Sequence, residues 1–485
     1  MLIKPGNCQE KEVLTKLWSH ENLRVFHDRL INNEDKKYLM EMMHQMLRSR
    51  FSIQESYEEY FESDPIMFGD YLRLGVERED KVYEEVKDVE KTKKLLIDYL
   101  DDYNMSSTNA MNLVFFRDAI EHVNRLARVL RQPRGNAMLV GVGGSGKQSL
   151  TRFACHMSDC ECFQIELKRG YKLTEFREDI KSLYKKSGID GQPVTFLFTD
   201  NQIADESFVE DVNNILNSGE VPGMYTSDEK EKCIADIRQW CDDQGMQLSR
   251  DGLYNAFIDR VRDNLHIVLC MSPVGEAFRA RCRQFPSLIN CCTIDWYTEW
   301  PEDALLSVSE QYLANVKLES DEINKAVARA CVDIHLSITK ANELFYNELR
   351  RKYYITPKSY LDLINMYVQL LAEKREEYSV SRDRLVNGLN KLTQTNEVVD
   401  TMKEELNKLQ PILKEKSEST TKLIAQVEKE KEEAEKVKKV VSAEAAEVDK
   451  STAETQAIKD NAQKDLDEAL PALEGATKAL NALNK

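Results

Sequence analysis

Apolar positions recur along this chain in three rhythms, one after another. Over residues 1 to about 105 they fall at helical spacing between charged breaks: Leu17-Trp18, Leu23, Val25-Phe26 and Leu30, then a helix near Tyr38 to Leu47. Pro65 and Gly69 interrupt the pattern, and it resumes from Val82 to Tyr99. Between about 106 and 300 short apolar runs alternate with amphipathic stretches. Ala137–Val140, Cys162–Leu167, Val194–Thr199, Ile267–Met271 and Cys292–Trp296 are predicted strands with helices between them, the signature of a parallel α/β sheet. Trp300-Pro301-Glu302-Asp303 opens a helical stretch to about 375. Within it Thr356-Pro357 is a cap-and-first-turn signal, followed by Tyr360, Ile364, Tyr367 and Leu371 on one face.

From about 376 aromatics and glycines nearly vanish, and a three–four spacing takes over. Met402, Leu406, Leu409 and Leu413 begin it, Leu423, Val427, Ala434, Val437, Val441, Val448, Ile458 and Ala462 continue it, and Ala469, Leu473, Ala476, Leu480 and Leu483 close it. That is a coiled-coil seam, interrupted by Lys416, Thr420 and Glu430. About 110 residues make a rod on the order of 160 Å long. Pro411 and Pro471 should kink or break it. Small and polar seam residues suit a coil that slides or changes register. A stripe this long needs a partner. Either the helix dimerises with itself or a returning helix lies on chain beyond this sequence. The seam reaches the last residue with no stop signal, which is the expectation for a fragment.

The chemistry is concentrated after the first strand. Gly141-Val142-Gly143-Gly144-Ser145-Gly146-Lys147 follows Ala137–Val140 and precedes a helix predicted over Gln148–Met157. Strand, glycine-rich loop and helix in that order make a P-loop. Consecutive backbone N–H groups and the helix N-terminus cradle phosphates, and Lys147 reaches the β- and γ-phosphates of ATP or the β-phosphate of ADP. The next residue should be Ser or Thr, whose hydroxyl ligates Mg²⁺. Here it is Gln148, and Ser149 is rotated by about 100° around the helix. Gln148 could offer only an amide oxygen or a water-mediated contact, so Mg²⁺ should be loosely held.

Val194–Thr199 ends in Asp200, 53 residues after Lys147, as a Walker B strand does, with Asp200 ordering the water shell of Mg²⁺. A catalytic Glu should follow; Asn201 can orient water but cannot take its proton. The strand around Ile267–Met271 ends in Ser272, at the sensor-I position. Arg279, Arg281 and Arg283 follow, and one of them is expected to project into a neighbouring module's site as an arginine finger, Arg283 being the candidate. Leu113 and Val114, upstream of the P-loop, form a candidate apolar clamp for the base.

Composition narrows the class. The 485 residues carry a net charge of −17 with 31% charged residues, enough chain for about three domains. No basic stripe interleaved with aromatics points to nucleic acid. No run approaches the ~18 apolar residues of a membrane helix, and Met1 to Cys8 lacks a signal-peptide core. Eleven scattered cysteines without a Cys-x-x-Cys pair fit reduced thiols in a soluble intracellular protein.

Several longer stretches carry a family resemblance. Phe116-Arg117-Asp118-Ala119-Ile120-Glu121-His122, Gln132-Pro133-Arg134-Gly135-Asn136, Ser218-Gly219-Glu220-Val221-Pro222-Gly223, Phe285-Pro286-Ser287-Leu288 and Pro471-Ala472-Leu473-Glu474 resemble the dynein heavy chains. The likeness is to the fourth AAA+ module and the outgoing helix of the microtubule-binding stalk. Leu17-Trp18-Ser19-His20-Glu21-Asn22-Leu23-Arg24-Val25-Phe26-His27-Asp28-Arg29-Leu30 is similar to the lid of the third module. The implied architecture is a third-module lid over 1–105, an α/β P-loop AAA+ large domain over 106–300, a helical lid over 301–375 and the outgoing stalk coiled coil over 376–485. The resemblance implies a regulatory nucleotide site within a minus-end motor whose main hydrolytic module is not in this sequence. Lys358 would begin the sensor-II helix, and Arg24 would play the corresponding part for the third module. Implied partners are neighbouring AAA+ modules, the returning stalk helix, other dynein subunits, and microtubules through a stalk tip outside this sequence. Gln148 and Asn201 resemble the axonemal branch, which implies a place in the cytoplasm and cytoskeleton, in the axoneme of a cilium or flagellum.

Two other classes compete. Chromosome-maintenance ATPases place a coiled coil between Walker A and Walker B, whereas Lys147 and Asp200 both precede the coil here. A non-enzymatic coiled-coil scaffold with a degenerate P-loop would bind no ATP.

Overall fold

In the computed structural model, residues 9–62, 65–421 and isolated positions between 435 and 459 are described. The chain divides into two units, one ending at Glu373 and the other beginning at Lys374.

The first unit opens with helices α1 (Lys11–Asn22) and α2 (Asn33–Phe51), a short antiparallel pair β1 (Phe68–Gly69) and β2 (Glu84–Glu85), and helix α3 (Val89–Ser106). The helix predicted from Val82 begins only at Val89, where Asp88 accepts the Lys91 amide as a cap. Residues before the cap are extended because Glu84 and Glu85 pair with β1. Apolar spacing alone did not register that cap.

Then follow α4 (Arg117–Arg131), β3 (Ala137–Gly141), α5 (Lys147–Met157), β4 (Glu161–Phe163), α6 (Leu173–Tyr184), β5 (Val194–Thr199), α7 (Glu206–Ser218), α8 (Ser227–Asp243), α9 (Arg250–Asn264), β6 (Leu265–Met271), α10 (Ala277–Gln284), α11 (Ser287–Asn290) and β7 (Thr293–Tyr297). β3 to β7 form one parallel sheet in the order β4-β5-β6-β3-β7. Only β4 is much shorter than predicted, stopping at Phe163. Both sheet faces are buried, as a parallel sheet requires. Along β5, Phe196 and Phe198 point into a core with α6–α9, while Leu197 points into a second core with α4 and α5. Leu96, Tyr99 and Leu100 of α3 join that second core, so packing is continuous across residue 106.

The lid consists of α12 (Glu302–Leu313), α13 (Asp321–Leu349) and the first turns of α14 (Pro357–Thr421). Thr356 Oγ1 accepts the Ser359 amide at 3.2 Å, so the predicted cap is formed. Tyr360 and Ile364 are fully buried among Leu305, Val308, Leu313, Ala328 and Val332, and Tyr367 packs against them.

In the second unit α14 runs on to Thr421 and passes through Pro411 rather than breaking there. Its seam residues Met402, Leu406, Leu409 and Leu413 are 50–63% exposed, as an unpaired coiled-coil stripe would be. Val441 and Val448 are exposed too. The remaining seam positions from Leu423 to Leu483, and Pro471, lie outside the described residues.

Candidate nucleotide site

The carboxyl ends of four strands converge where the strand order reverses around β3. Ligands bind at such a point in open α/β sheets. β3 delivers the P-loop, β5 delivers Asp200, β6 delivers Ser272, and β7 ends at Tyr297. Together with the lid they enclose a cavity of about 770 Å³, large enough for a nucleotide. Gly143, Gly144, Ser145, Gly146, Lys147, Gln148 and Ser149 line it, as do Leu113, Val114, Asp200, Asn201, Ser272 and Lys358. Gly141 and Val142 lie just behind, their carbonyls turned to Lys147.

The loop's glycines are required by geometry at two points. Gly144 and Gly146 have φ of +78° and +89°, a region that side chains disfavour. A Cβ on Gly144 would also fall 2.5 Å from the Cβ of Lys358. The first turn of α14 therefore sits directly on the phosphate loop. That contact brings Lys358 to the edge of the loop.

Lys147 is buried, with Nζ donating to the carbonyls of Gly141 at 2.7 Å and Val142 at 2.8 Å and to Ser145 Oγ at 3.1 Å. Burial pushes its ammonium below the ordinary lysine range, against the pull of Cys270 and Asp200. An ammonium held only by neutral acceptors in a desolvated loop is an unmet charge, and phosphate is the group that would meet it. The residues present therefore fit a nucleotide.

They fit a tightly held Mg²⁺ poorly. Asp200 is already engaged: one oxygen accepts the Ser272 amide and the other lies 3.5 Å from Arg281 Nη1. Burial pushes its carboxyl up, opposed by the Ser272 amide, Arg281 and Lys147. Gln148 and Asn201 are exposed at the cavity edge, and no cluster of His, Cys, Asp or Glu suited to a metal occurs among the described residues.

The three arginines of α10 divide. Arg281 is spent inside its own module, bonding Glu206 at 2.7 Å as well as Asp200. Arg279 lies 3.8 Å from Glu276, and Arg283 is exposed with no ion pair among the described residues. Residues 279 and 283 are four apart and share a face, while 281 points elsewhere. Arg281 is thus occupied within its own module. Arg24 is also not free: it is 7% exposed and bonded to Asp28 at 2.6 Å and 3.2 Å. The i,i+4 spacing of Arg24 and Asp28 was the available signal.

Sequence reasoning missed several residues. Gln202 accepts from the Thr199 amide at 2.9 Å and donates to the Ile165 carbonyl at 2.6 Å, fixing the strand end that presents Asp200. His122 lines the cavity, donating through Nδ1 to the Asp295 carboxylate at 2.7 Å and stacking on Tyr297 at 3.9 Å. Asp295 also takes Arg125 at 2.7 Å, and Arg125 Nε lies 3.6 Å from Asp28. A buried ion network thus runs from the amino-terminal segment to the cavity wall. Thr199 and Gln202 are three apart and form a capping box, which was the available local signal; the other contacts join residues far apart in sequence, and no local pattern announces them.

Residues 111–370 match the model of the P-loop containing dynein motor region D4, and residues 383–485 match the microtubule-binding stalk of dynein motor. The human dynein axonemal heavy chain 6 is 51% identical over 94% of this chain and 11% of its own length. The mouse dynein axonemal heavy chain 2 is 44% identical over 98% of this chain and 11% of its own. The dynein-1-beta heavy chain of the flagellar inner arm I1 complex of Chlamydomonas reinhardtii is 45% identical over 81% of this chain and 9% of its own. The chain thus spans about a tenth of the length of the relatives it matches. With a five-stranded P-loop sheet, a lid resting on the loop and two successive family matches, the chain belongs to the dynein heavy chain family.

Proposed function

We propose that this chain is the nucleotide-responsive part of an axonemal dynein heavy chain, a P-loop module that sets the state of a microtubule-binding stalk. P-loop motors of this family bind nucleotide in general; the finer reading is that this site takes ATP or ADP and hydrolyses slowly. The observation that carries it is the contact between Lys358 and Gly144. Lys358 stands in the first turn of α14, and α14 is also the helix on which the stalk match begins, at residue 383. A lid that closes on a γ-phosphate would move that turn, and strain in the stalk would alter microtubule affinity at its far end.

Roles follow from position. Lys147 leaves its loop carbonyls for the β- and γ-phosphates, and the P-loop amides take the remaining oxygens. Lys358 supplies a second cation from the lid. Leu113 and Val114 flank the base, Ser272 orders Asp200, and Asn201 orients water without acting as its base. Asp200 and, loosely, Gln148 would be the residues to hold a Mg²⁺ ion, which would supply charge neutralisation at the phosphates. Arg283 serves a neighbouring module. The domain boundaries near 105, 300 and 375 follow the same plan. The printed names of the relatives support a place in the axoneme among other dynein subunits, with microtubules as the track.

The test is ATP and ADP binding by this chain and by Lys147→Ala. The wild type should bind both, and the variant should lose affinity by about a hundredfold, the effect of removing hydrogen bonds to a charged group. Equal binding by both proteins would place the nucleotide elsewhere. No binding by either would favour a coiled-coil scaffold with a degenerate loop.

A further inference from the structure

The helix that begins at Lys147 ends in a cluster of thiols that the nucleotide site does not use. α5 closes with a Schellman motif. The Asp159 amide donates to the His156 carbonyl at 3.2 Å and the Cys160 amide to the Cys155 carbonyl at 2.9 Å, with Asp159 in the left-handed region at φ +51°. That closure brings together the side chains at its two ends, here Cys155 and Cys160. β4 starts at the next residue, and side chains two apart on an extended strand face the same way. Cys162 therefore shares the face of Cys160 and packs against the core that contains Cys155. Thr195 confirms the shared face: it is the register partner of Cys162, and its Oγ1 lies 3.0 Å from Cys160 Sγ. The Cys155 thiol is within hydrogen-bonding reach of both other thiols.

The three sulfurs are not equivalent. Cys155 is 1% exposed and Cys160 7%, whereas Cys162, on the edge strand of the sheet, is only half-buried. A small oxidant meets Cys162 first. The hydrogen bond from Cys155 and the nearby Arg152 guanidinium hold the Cys162 thiol below the ordinary cysteine range against its burial, while Cys155 is pushed up. Cys233 and Cys282 are half-buried too, but burial pushes both of them up. Thiolate is the reactive form, so Cys162 is the more nucleophilic of these half-buried sulfurs. No group of residues suited to a metal occurs among the described residues, which leaves redox chemistry to this cluster.

We propose that Cys162 and Cys155 form a reversible disulfide in response to hydroperoxides, a modification site that ties the far end of the phosphate-loop helix to the sheet edge. The Cys162 thiolate attacks one peroxide oxygen and the O–O bond breaks. Sulfur keeps that oxygen as a sulfenic acid, and the other oxygen leaves and takes a proton from water. The Cys155 sulfur then displaces hydroxide from the sulfenic sulfur, and its proton departs with that oxygen as water. Two thiols lose two electrons and the peroxide is reduced. Cys160 is the poorer resolving partner for Cys162. Two residues apart on one strand, their Cα atoms are about 6.6 Å apart with parallel side chains, at the outer limit for a bridge.

Treatment of the full chain with hydrogen peroxide, followed by thiol blocking, proteolysis and mass spectrometry, reads the outcome. A peptide pair joined through Cys155 and Cys162 is expected, two hydrogens lighter than the free thiols and restored by dithiothreitol. Cys162 should be consumed about tenfold faster than Cys233 or Cys282, the change in thiolate fraction for one pKa unit. Cys162→Ser should abolish the cross-link. In Cys155→Ser, dimedone should trap the sulfenic acid at Cys162; if that core variant fails to fold, the wild-type map and Cys162→Ser decide alone. A Cys155–Cys160 bridge that survives Cys162→Ser would overturn the proposal. So would oxidation of Cys162 to sulfinic acid with Cys155 still free, or consumption of Cys233 or Cys282 ahead of Cys162.

Discussion

The two flanks of the cavity are built on different physics. On the amino-terminal side, the segment before α4 shares an apolar core with α4 and α5 and is in addition cross-braced to them and to β7 by charge. Arg128 bonds Glu21, Arg131 bonds Asp70 at 2.6 Å, Lys81 pairs with Asp159, and Arg125 joins Asp28 to Asp295. On the other side the lid meets the large domain through side chains that are mostly apolar. Val114 and Phe116 pack into the lid core, and Phe116 lies edge-on to Trp300 at 5.1 Å. Breaking a largely buried ion pair leaves a charge unmet, whereas separating an apolar contact does not. A nucleotide should therefore move the lid and leave the amino-terminal segment fixed. On the function proposed above, the output of the site would be carried by α14.

The largest effect should come from breaking the charged brace. Arg125→Met leaves Asp28 and Asp295 buried without their shared cation, and should cost roughly 3–5 kcal/mol in urea unfolding. The same network sets a pH dependence. Burial pushes the Asp28 carboxyl up, but Arg24, His27 and Arg125 outweigh it and hold it far below the usual range. Asp295 is likewise lowered, His122 and Arg125 outweighing its burial. Folded values below the unfolded value of about 3.9 mean that this stability is present above pH 4 or so. It is lost as pH falls from there towards the folded values. Arg125→Met should flatten that acid limb, and an unchanged limb would show the network to be energetically idle.

On the lid side, Phe116→Ala should cost about 1–3 kcal/mol, confined to lid docking. Hydrogen exchange should rise in α12 and α13 and stay constant in α1 to α3. A rise in both regions would erase the contrast. The smallest expected change is chemical. Gln148→Thr with Asn201→Glu restores a hydroxyl ligand and a carboxylate base, and should raise Mg²⁺-dependent hydrolysis by the site in an assembled ring. No gain would mean that the departures at these two positions do not limit the site.

Much of this was legible in the sequence. Gly141–Lys147 between a strand and a helix, and Asp200 at the end of Val194–Thr199, are local patterns, and local patterns survive translation into structure. The heptad spacing of Met402 to Leu413 is of the same kind, and those residues are exposed along α14 as unpartnered seam positions. What failed to show were pairings across long separations. The capture of Arg281 by Glu206 depends on how α10 meets α7, while the Asp295 bridge between His122 and Arg125 and the unpartnered Tyr297 hydroxyl depend on how β7 and α4 come together. Glu84–Glu85 was hidden differently: strand pairing with Phe68–Gly69 overrode a helical apolar spacing.

Hydrogen exchange of the chain with and without ATP tests the central claim most directly. The account predicts that ATP protects the P-loop and residues 357–373 of α14 while α1 to α3 exchange unchanged. Protection that stops at the P-loop, or that appears in the amino-terminal segment and not in the first turns of α14, would contradict it.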